Sequence, residues 1–187
     1  MSVSFDERFG AAEIARRVQE VGRRITADFP AGDLVLIALL KGAGFFMSDL
    51  ARSIQRPIRL EYIDVIRKGG EEEIIDVHFV TNFKVTGADV VILKDVVRSG
   101  IIESYLMDQL REQRPRSVRF ACLVDRPQER KSSLLADYVL FPSLEGHLVG
   151  YGMEYRGLGG HLPFIGQVKT DEEPDPFDQT GRIRLRG

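Results

Sequence analysis

The sequence predicts an α/β domain in which a mostly parallel sheet is covered by helices on both faces. Residues 34–40 and 90–93 are continuous aliphatic runs, which is typical of strands buried on both faces. Segments with helical spacing of apolar residues alternate with such runs, and this alternation indicates parallel crossover units. With 187 residues, of which 43% are hydrophobic, the chain is long enough to form one well-packed core.

The first half of the chain predicts a helix, a strand and a second helix. Apolar residues recur at helical spacing in the amino-terminal segment, at Ile14, Val18, Val21 and Ile25. Residues 34–40 follow as a strand, and residues 41–44 form a turn rich in glycine. The second helix takes its apolar side from Phe45, Phe46, Leu50 and Ile54.

The second half predicts strands separated by turns and one helix. Residues 59–66 and 74–79 are expected to be strands, and the second of them to return toward residues 83–85 as a hairpin. A helix is predicted around residues 105–110. Further strands are predicted at residues 90–93, 118–124, 138–141 and 148–151. Ligands of such a sheet bind at the carboxyl ends of its strands.

The domain is predicted to span residues 1–168, and residues 169–187 to form a tail. Residues 170–178 are rich in Asp, Glu and Pro, and residues 182–186 alternate arginine with aliphatic residues. Because neither stretch has apolar periodicity, we expect a flexible tail that is acidic first and then basic.

Composition indicates which partners and which cellular compartment to expect. A net charge of −2 and a sequence pI near 6.0 argue against non-specific nucleic-acid binding. The one cysteine, Cys122, lies in an apolar run and cannot by itself form a disulfide or a cysteine-based metal site. Residues 1–8 lack the pattern of a signal peptide, and no apolar run reaches membrane-spanning length. We therefore expect a cytoplasmic protein.

Residues 90–102 carry the strongest functional signal. An apolar strand is followed by Asp95, and Ser99 and Gly100 then precede a helix expected to begin near Ile101. Backbone N–H groups at such a helix start attract anions, and a glycine lets the backbone approach a phosphate closely. The alternative is a plain strand-to-helix turn with Ser99 as its N-cap.

Several segments, taken together, resemble one known family. Residues 90–102 resemble the phosphoribosyl pyrophosphate loop of type I phosphoribosyltransferases, in which paired acids, two aliphatics, Asp, Thr or Ser, and Gly follow an aliphatic strand. Residues 39–50 resemble the pyrophosphate-binding turn of the hypoxanthine-guanine phosphoribosyltransferases, and residues 148–155 resemble their purine-binding segment. Residues 122–127 and 162–166 match that family in the same order.

The resemblance covers roughly residues 10–168 and implies both a fold and an activity. It implies the type I phosphoribosyltransferase fold, with a small hood or lid region beside the main sheet. It further implies transfer of phosphoribosyl from phosphoribosyl pyrophosphate to hypoxanthine or guanine, with Mg²⁺, in a purine-salvage role. A dimer or tetramer is also implied.

Carried over by position, the resemblance assigns phosphate-binding roles to six residues: Lys41, Gly42, Ser99, Gly100, Ile101 and Ile102. Lys41 and Gly42 match the pyrophosphate turn, and the other four match the 5′-phosphate loop. Ile102 stands where the family has a phosphate-binding hydroxyl. For Lys41, a solvated surface charge is the alternative interpretation.

The resemblance assigns the remaining contacts to ribose, purine and metal. Asp95 matches an acid that holds the ribose hydroxyls, although a strand-end Asp can also cap a turn. Arg126 takes the place of a Lys that contacts the purine 6-oxo group, and Leu148 falls in the purine-binding segment. His147 takes the place of an aromatic that stacks on the base, with a surface role as the alternative. Glu154 stands where an Asp helps to bind Mg²⁺ and retains an oxygen ligand; a solvated acid is the alternative.

The departures from the family concern its chemistry. Arg98 replaces an Asp near the purine N7 that handles a proton, and loss of a general base costs ~10²–10⁴-fold in rate. A cation there also repels a positive ribose centre, by roughly 3 kcal/mol at ~6 Å with an effective dielectric of ~20. Lys94 replaces one acid of the pair, and Gly160 replaces an arginine near pyrophosphate. Residues 67–68 are Arg-Lys where the family's lid has Ser-Tyr.

These replacements leave two functional classes open. Basic residues are expected to converge on one site, opposed only by Asp95 and Glu154: Lys41, Arg67, Lys68, Lys94, Arg98 and Arg126. The first class is a hypoxanthine-guanine phosphoribosyltransferase with weak or lost catalysis. The second is a non-catalytic nucleotide- or phosphate-binding regulatory or partner protein, although sequence drift could also produce basic residues. RNA binding gains slight support from an arginine cluster that a solvated helix face explains more simply, at Arg111, Arg114, Arg116 and Arg119.

Overall fold

The computed structural model describes the backbone of residues 4–68, 74–80 and 82–169, and the side chains of these residues outside 66–79. In chain order its elements are β1 (Ser4–Phe9), α1 (Ala11–Asp28), β2 (Leu34–Leu40), α2 (Gly44–Ser53), β3 (Arg59–Lys68), β4 (Ile74–Phe79), β5 (Asp89–Val97), α3 (Ile101–Glu112), β6 (Ser117–Asp125), a 3₁₀ turn (Pro127–Glu129), β7 (Tyr138–Phe141), β8 (Leu148–Val149) and β9 (Ile165–Lys169).

The main sheet has six strands in the order β4-β3-β2-β5-β6-β7. Strands β3, β2, β5, β6 and β7 are parallel to their neighbours, and β4 is an antiparallel edge strand beside β3. The predicted mostly parallel sheet is therefore confirmed. Because β2, β5 and β6 lie side by side and point the same way, the loops that follow them meet at one edge of the sheet.

Helices cover both faces of this sheet. Side chains alternate along a strand, so β2 contributes Leu34, Leu36 and Ala38 to the core beneath α1 and α2. It contributes Val35, Ile37 and Leu39 to the core beneath α3. The buried face of α1 contains all four residues of the predicted stripe, Ile14, Val18, Val21 and Ile25. The continuous aliphatic run thus reflects a strand with two buried faces.

A second sheet contains three antiparallel strands, in the order β1-β9-β8. Its separate position agrees with the small hood that the family resemblance implies. The strand predicted at residues 148–151 is shorter than expected, because β8 contains only Leu148 and Val149, and it pairs with β9 rather than with the main sheet. Leu148 and Tyr151 nevertheless pack in the core beneath α1 and α2. Strand β1 was not predicted, because it is charged and half exposed and has no aliphatic run to indicate it.

Two further expectations differ from the structure. The hairpin of β4 forms with β3, in register from Ile63 with Phe79 to Lys68 with Ile74, rather than with residues 83–85. Helix α3 begins at Ile101, as residues 90–102 predict, but it is longer than the stretch predicted around residues 105–110. The predicted tail lies outside the described residues from position 170 onward, and β9 ends at Lys169. Among the described helices, none has both the length and the apolar character needed to cross a membrane.

Candidate active site at the carboxyl edge of the sheet

Three loops follow the parallel strands β2, β5 and β6 at their carboxyl ends. The loop after β5 is tied to the loop after β6 by backbone hydrogen bonds. Arg126 N–H donates to Val97 C=O at 2.9 Å, and Lys131 N–H donates to Ser99 C=O at 2.9 Å. The structure therefore brings Ser99 and Arg126, predicted from separate motifs, to the same edge of the sheet.

The loop after β2 packs against Asp95. A Cβ atom on Gly42 would lie 1.8 Å from Asp95 Oδ2, so only glycine leaves room for this carboxylate. Gly152, whose φ is +98°, approaches from the other side, since its Cβ would lie 2.5 Å from Gly42 O. Tyr151 O–H holds this turn by donating to Asp49 Oδ2 on α2 at 2.6 Å. Three segments that are distant in sequence thus meet around Gly42.

Asp95 is the acid that the sequence analysis assigned to the ribose. It is buried, and its Oδ1 lies 2.8 Å from Lys94 Nζ. The lysine that replaces the other acid of the pair is therefore an ion-pair partner of the acid that remains. This ion pair offsets the charge of Lys94, but Oδ1 of Asp95 has no hydrogen bond of good geometry among the described residues.

Arg98 does not project a bare charge into the site. Its Nε donates to Glu129 Oε2 at 2.7 Å, and Arg126 Nη1 lies 3.4 Å from Glu129 Oε1. Arg126 is only 3% exposed, and its Nη2 donates to Gly146 C=O at 2.6 Å. Partial burial acts to raise the pKa of Glu129, but the hydrogen bond and charge of Arg98, together with Arg126, outweigh burial and lower this pKa.

The turn between β5 and α3 places a left-handed glycine at the start of the helix. Gly100 is the N-cap of α3, has φ of +71° and is a position that glycine favours. The alternative with Ser99 as the N-cap is wrong, although Ser99 Oγ lies 3.5 Å from Ile101 N–H. Arg130 and Ser132 pack over Gly100, and Arg130 forms an ion pair with Asp125. Ile101 and Ile102 begin α3, and Ile101 is exposed.

The remaining predicted residues lie on the turns beside this edge. His147 packs against Tyr155 with ring centroids 5.3 Å apart, and Leu148 is buried. Glu154 is exposed on the turn that carries Gly152, as is Lys41 on the turn after β2. The side chains of Arg67 and Lys68 are outside the described part of the chain. The described residues contain no group of three or more His, Cys, Asp or Glu side chains placed to hold a metal ion.

Three of the six cations expected to converge here, Lys94, Arg98 and Arg126, have acidic partners, whereas Lys41 is exposed and the other two lie outside the described side chains. Lys94 is paired with Asp95, Arg98 and Arg126 share Glu129, and Arg130 is paired with Asp125. Glu129 was not among the predicted site residues, because it lies outside the family's motif positions. A charge pattern could have found it, because Arg126 and Glu129 are three residues apart in a turn that starts at Pro127. The basic charge of the described part of the site is therefore partly neutralised, with two arginines sharing one carboxylate.

Comparison with known proteins agrees with this architecture. The model of the phosphoribosyl transferase domain family matches residues 10–156. The hypoxanthine-guanine phosphoribosyltransferase of Bacillus subtilis is 33% identical over 163 residues, which cover 84% of this chain and 89% of that enzyme. The bifunctional protein TilS/HprT of Listeria innocua is 34% identical over 165 residues, but the match covers 85% of this chain and 25% of that longer protein. The chain thus matches about a quarter of the bifunctional relatives.

Solved structures of the same family have the same fold. A hypoxanthine-guanine phosphoribosyltransferase from Bacillus anthracis superposes with a TM-score of 0.83 at 28% identity, covering 90% of this chain and 100% of that one. A Trypanosoma cruzi hypoxanthine phosphoribosyl transferase, studied for the role of its C-terminal region in oligomeric state and activity, gives a TM-score of 0.82 at 28% identity over 88% of this chain and 91% of that one. The chain belongs to the hypoxanthine-guanine phosphoribosyltransferase family.

Proposed function

We propose that this chain binds phosphoribosyl pyrophosphate or a purine nucleotide on the family's fold, and that its transfer of phosphoribosyl to a 6-oxopurine is weak or lost. One observation carries the proposal. Arg98 stands in the loop where the resemblance implies a proton-accepting Asp, and its guanidinium is held by Glu129 at 2.7 Å. A permanently protonated side chain cannot accept a proton from the purine.

Phosphate binding is supported by features that do not depend on position 98. Gly100 is the left-handed N-cap of α3, and the N–H groups of a first helical turn, here beside Ser99, have no carbonyl partner within the helix. Lys41 is exposed next to Gly42, on the turn that resembles the pyrophosphate-binding turn of the family. These features suit the phosphate groups of phosphoribosyl pyrophosphate or of a nucleotide.

The residues present could hold Mg²⁺ if the ion is bound mainly by substrate phosphates. Mg²⁺ that arrives with substrate phosphates needs only one or two protein carboxylates and keeps several waters. The exposed carboxylate of Glu154 can supply one such oxygen, while Asp95 is already engaged by Lys94. When bound, the ion would neutralise pyrophosphate charge. We further infer from the resemblance a cytoplasmic homo-oligomer, either a dimer or a tetramer.

Catalysis is expected to be weak because the base is missing, more than because of charge repulsion. Glu129 offsets the charge of Arg98, so the full repulsion of a bare cation does not apply. Glu129 is itself a poor replacement base, because both of its oxygens face guanidinium groups and its pKa is lowered. What remains is the loss of general-base catalysis, worth ~10²–10⁴-fold.

The alternative, a non-catalytic nucleotide- or phosphate-binding protein with a regulatory or partner role, is supported by the same contrast. The turns around Gly42 and Gly100 are those that the resemblance assigns to phosphate, and both glycines are present, whereas the position implied for proton transfer is occupied by Arg98. A protein that only binds a nucleotide needs the phosphate-binding turns and does not need a proton acceptor.

The deciding experiment measures turnover and binding on the same full chain. The purified protein is assayed with phosphoribosyl pyrophosphate, Mg²⁺ and either hypoxanthine or guanine, and GMP binding is measured by calorimetry. We expect turnover at least ~10³-fold below ordinary values together with measurable GMP binding. Turnover of ~1–100 per second would exclude lost catalysis. Absence of both turnover and binding would exclude the whole proposal.

A variant tests whether position 98 limits the rate. Arg98→Asp restores an acid, and Glu129→Gln in the same chain avoids two adjacent carboxylates. We expect this double variant to turn over faster than the unmodified chain, yet below ordinary values, because Lys94, Ile102 and Gly160 remain. Glu129→Gln alone is the control and should not raise turnover. An unchanged rate in the double variant would show that position 98 is not limiting.

A further inference from the structure

The carboxylate of Glu129 lies between two guanidinium groups contributed by different strand ends. Oε2 accepts from Arg98 Nε at 2.7 Å, and Oε1 lies 3.4 Å from Arg126 Nη1. We propose that this place between Arg98 and Arg126 is an anion-binding site whose internal occupant is Glu129, and that an anionic oxygen group of a ligand, phosphate or carboxylate, binds there by displacing Glu129. The inference deepens the proposed nucleotide binding and rests on it for the identity of the ligand.

Both cations already lie beside the proposed site, and Arg126 is held there by a second contact. Arg126 is 3% exposed, and its second Nη donates to Gly146 C=O at 2.6 Å, so its guanidinium is held in one orientation. Arg98 is 19% exposed at its side chain and follows directly after β5. Planar guanidinium groups bind phosphate and carboxylate oxygens through the same paired donors. The carboxylate of Glu129 already lies between the two guanidinium groups, so the place accommodates an anionic oxygen group.

The occupant, unlike the cations, is placed so that it can leave. The side chain of Glu129 is 42% exposed and comes from a 3₁₀ turn of three residues, Pro127–Glu129. Ion pairs with an exposed partner are weak, because water solvates the released charge well. Rotation of Glu129 into solvent would therefore open the site without unfolding a helix or strand.

A catalytic role for Glu129 makes the opposite prediction. If Glu129 were a relocated general base, its removal would abolish residual turnover and would not improve anion binding. The hydrogen bonds to both oxygens, and the lowered pKa that accompanies them, argue for a counter-ion instead. The two roles can thus be separated with one substitution.

The test uses Glu129→Gln in the full chain, with inorganic phosphate and benzoate as probes and calorimetry as the readout. Removing one competing negative charge should make each probe bind about tenfold more tightly. The two probes distinguish a phosphate-selective site from one that accepts any anionic oxygen group. Glu112→Gln is the control, because Glu112 is an equally charged residue at the far end of α3 and should leave both affinities unchanged.

A second substitution assigns the gain to the proposed site. Adding Arg98→Ala to Glu129→Gln should remove the tenfold gain, because one of the two donors is then missing. Equal or weaker probe binding in Glu129→Gln would overturn the inference, as would a gain that survives Arg98→Ala. GMP separates this inference from the proposed function: GMP binding without a probe gain refutes the inference alone, whereas a probe gain without GMP binding refutes nucleotide binding alone.

Discussion

The two ends of strands β5 and β6 carry the same kind of ion pair in opposite arrangements. At the amino edge of the sheet, Asp89 is 4% exposed and accepts hydrogen bonds from Arg116 and from Ser117 Oγ, while the side chain of Arg116 is 50% exposed. At the carboxyl edge, Arg126 is 3% exposed and Glu129 is 42% exposed. The amino edge buries the acid of its ion pair, and the carboxyl edge buries the arginine.

This inversion separates a structural ion pair from a candidate binding site. A buried acid that already accepts hydrogen bonds from neighbouring side chains does not bind an incoming anion. A buried, fixed guanidinium covered by an exposed acid can exchange that acid for a ligand. Arg116 also ties the amino edge to another loop, since its Nη2 donates to Ala31 C=O at 2.9 Å. Perturbing the amino edge should therefore change stability, and perturbing the carboxyl edge should change binding.

The largest expected effect comes from removing the buried acid. Asp89→Ala leaves Arg116 and Ser117 without their shared acceptor, and we expect the free energy of unfolding to fall by about 2–3 kcal/mol. Glu129→Ala should lower it by less, about 1 kcal/mol, because Glu129 is exposed and the buried Arg126 keeps its hydrogen bond to Gly146 C=O. Urea denaturation near neutral pH measures both values. Equal losses in the two variants would show that the two edges do not differ.

Next in size is a change at the point where three carboxyl-edge segments meet. Gly42→Ala places a Cβ atom 1.8 Å from Asp95 Oδ2 and must displace that carboxylate or the turn. We expect loss of about 1–2 kcal/mol of stability, within the range for strained substitutions, and GMP binding weakened about tenfold or more. Calorimetry and urea denaturation measure the two effects.

Gly44→Ala is the control for that substitution. A Cβ atom at Gly44, the first residue of α2, meets nothing within 4 Å. Alanine also favours helix over glycine, so stability should stay the same or rise and GMP binding should not change. Equal weakening of binding by the two substitutions would mean that the contact between Gly42 and Asp95 does not shape the site.

The main sheet was predictable because its signal is local and strong. Seven consecutive aliphatic residues form β2, and every one of its first six is buried, so burial on both faces can be read from the run itself. The small sheet was not predictable in this way. Strand β1 is charged and β8 has two residues, so both are strands because of their partner β9 rather than because of their own sequence.

The candidate site likewise has a part that local sequence predicts and a part that it does not predict. Gly42, Asp95 and Gly100 stand in motifs whose spacing fixes their place at strand ends, and the structure brings the loops that contain them together. Charge neutralisation could not be predicted in the same manner. Whether Arg98 meets Glu129, 31 residues away, depends on where the turn after β6 directs its side chains, and a motif alone does not specify this.

A smaller effect distinguishes the two acids through pH. The hydrogen bond from Arg116 lowers the pKa of Asp89 below its ordinary 3.8, and the arginines lower that of Glu129 below 4.5. A lowered folded-state pKa contributes stability that is complete above the unfolded value and is lost as pH falls through the folded value. Stability should therefore decline below about pH 4. Asp89→Asn should flatten this decline more than Glu129→Gln, when the free energy of unfolding is measured by urea from about pH 6 to pH 2.5.

The smallest expected effect compares two tyrosines, one at each edge. Tyr138 O–H donates to Asp28 and Tyr151 O–H donates to Asp49, each at 2.6 Å, and burial foremost raises the pKa of both hydroxyls so that both remain donors at neutral pH. Each acid keeps an arginine partner when the tyrosine is removed, Arg119 and Arg52 respectively. Tyrosine to phenylalanine should thus cost about 1 kcal/mol of stability at either position.

GMP binding should distinguish Tyr151→Phe from Tyr138→Phe, although the two substitutions should lower stability equally. Tyr151 anchors the turn in which Gly152 packs against Gly42 O, so Tyr151→Phe loosens one wall of the candidate site. Tyr138 ties the start of β7 to the end of α1, at the edge that we expect to bind nothing. Tyr151→Phe should weaken GMP binding about threefold, a change of roughly 0.6 kcal/mol, while Tyr138→Phe leaves it unchanged. Equal weakening by both would mean that stability, and not the geometry of the carboxyl edge, governs binding.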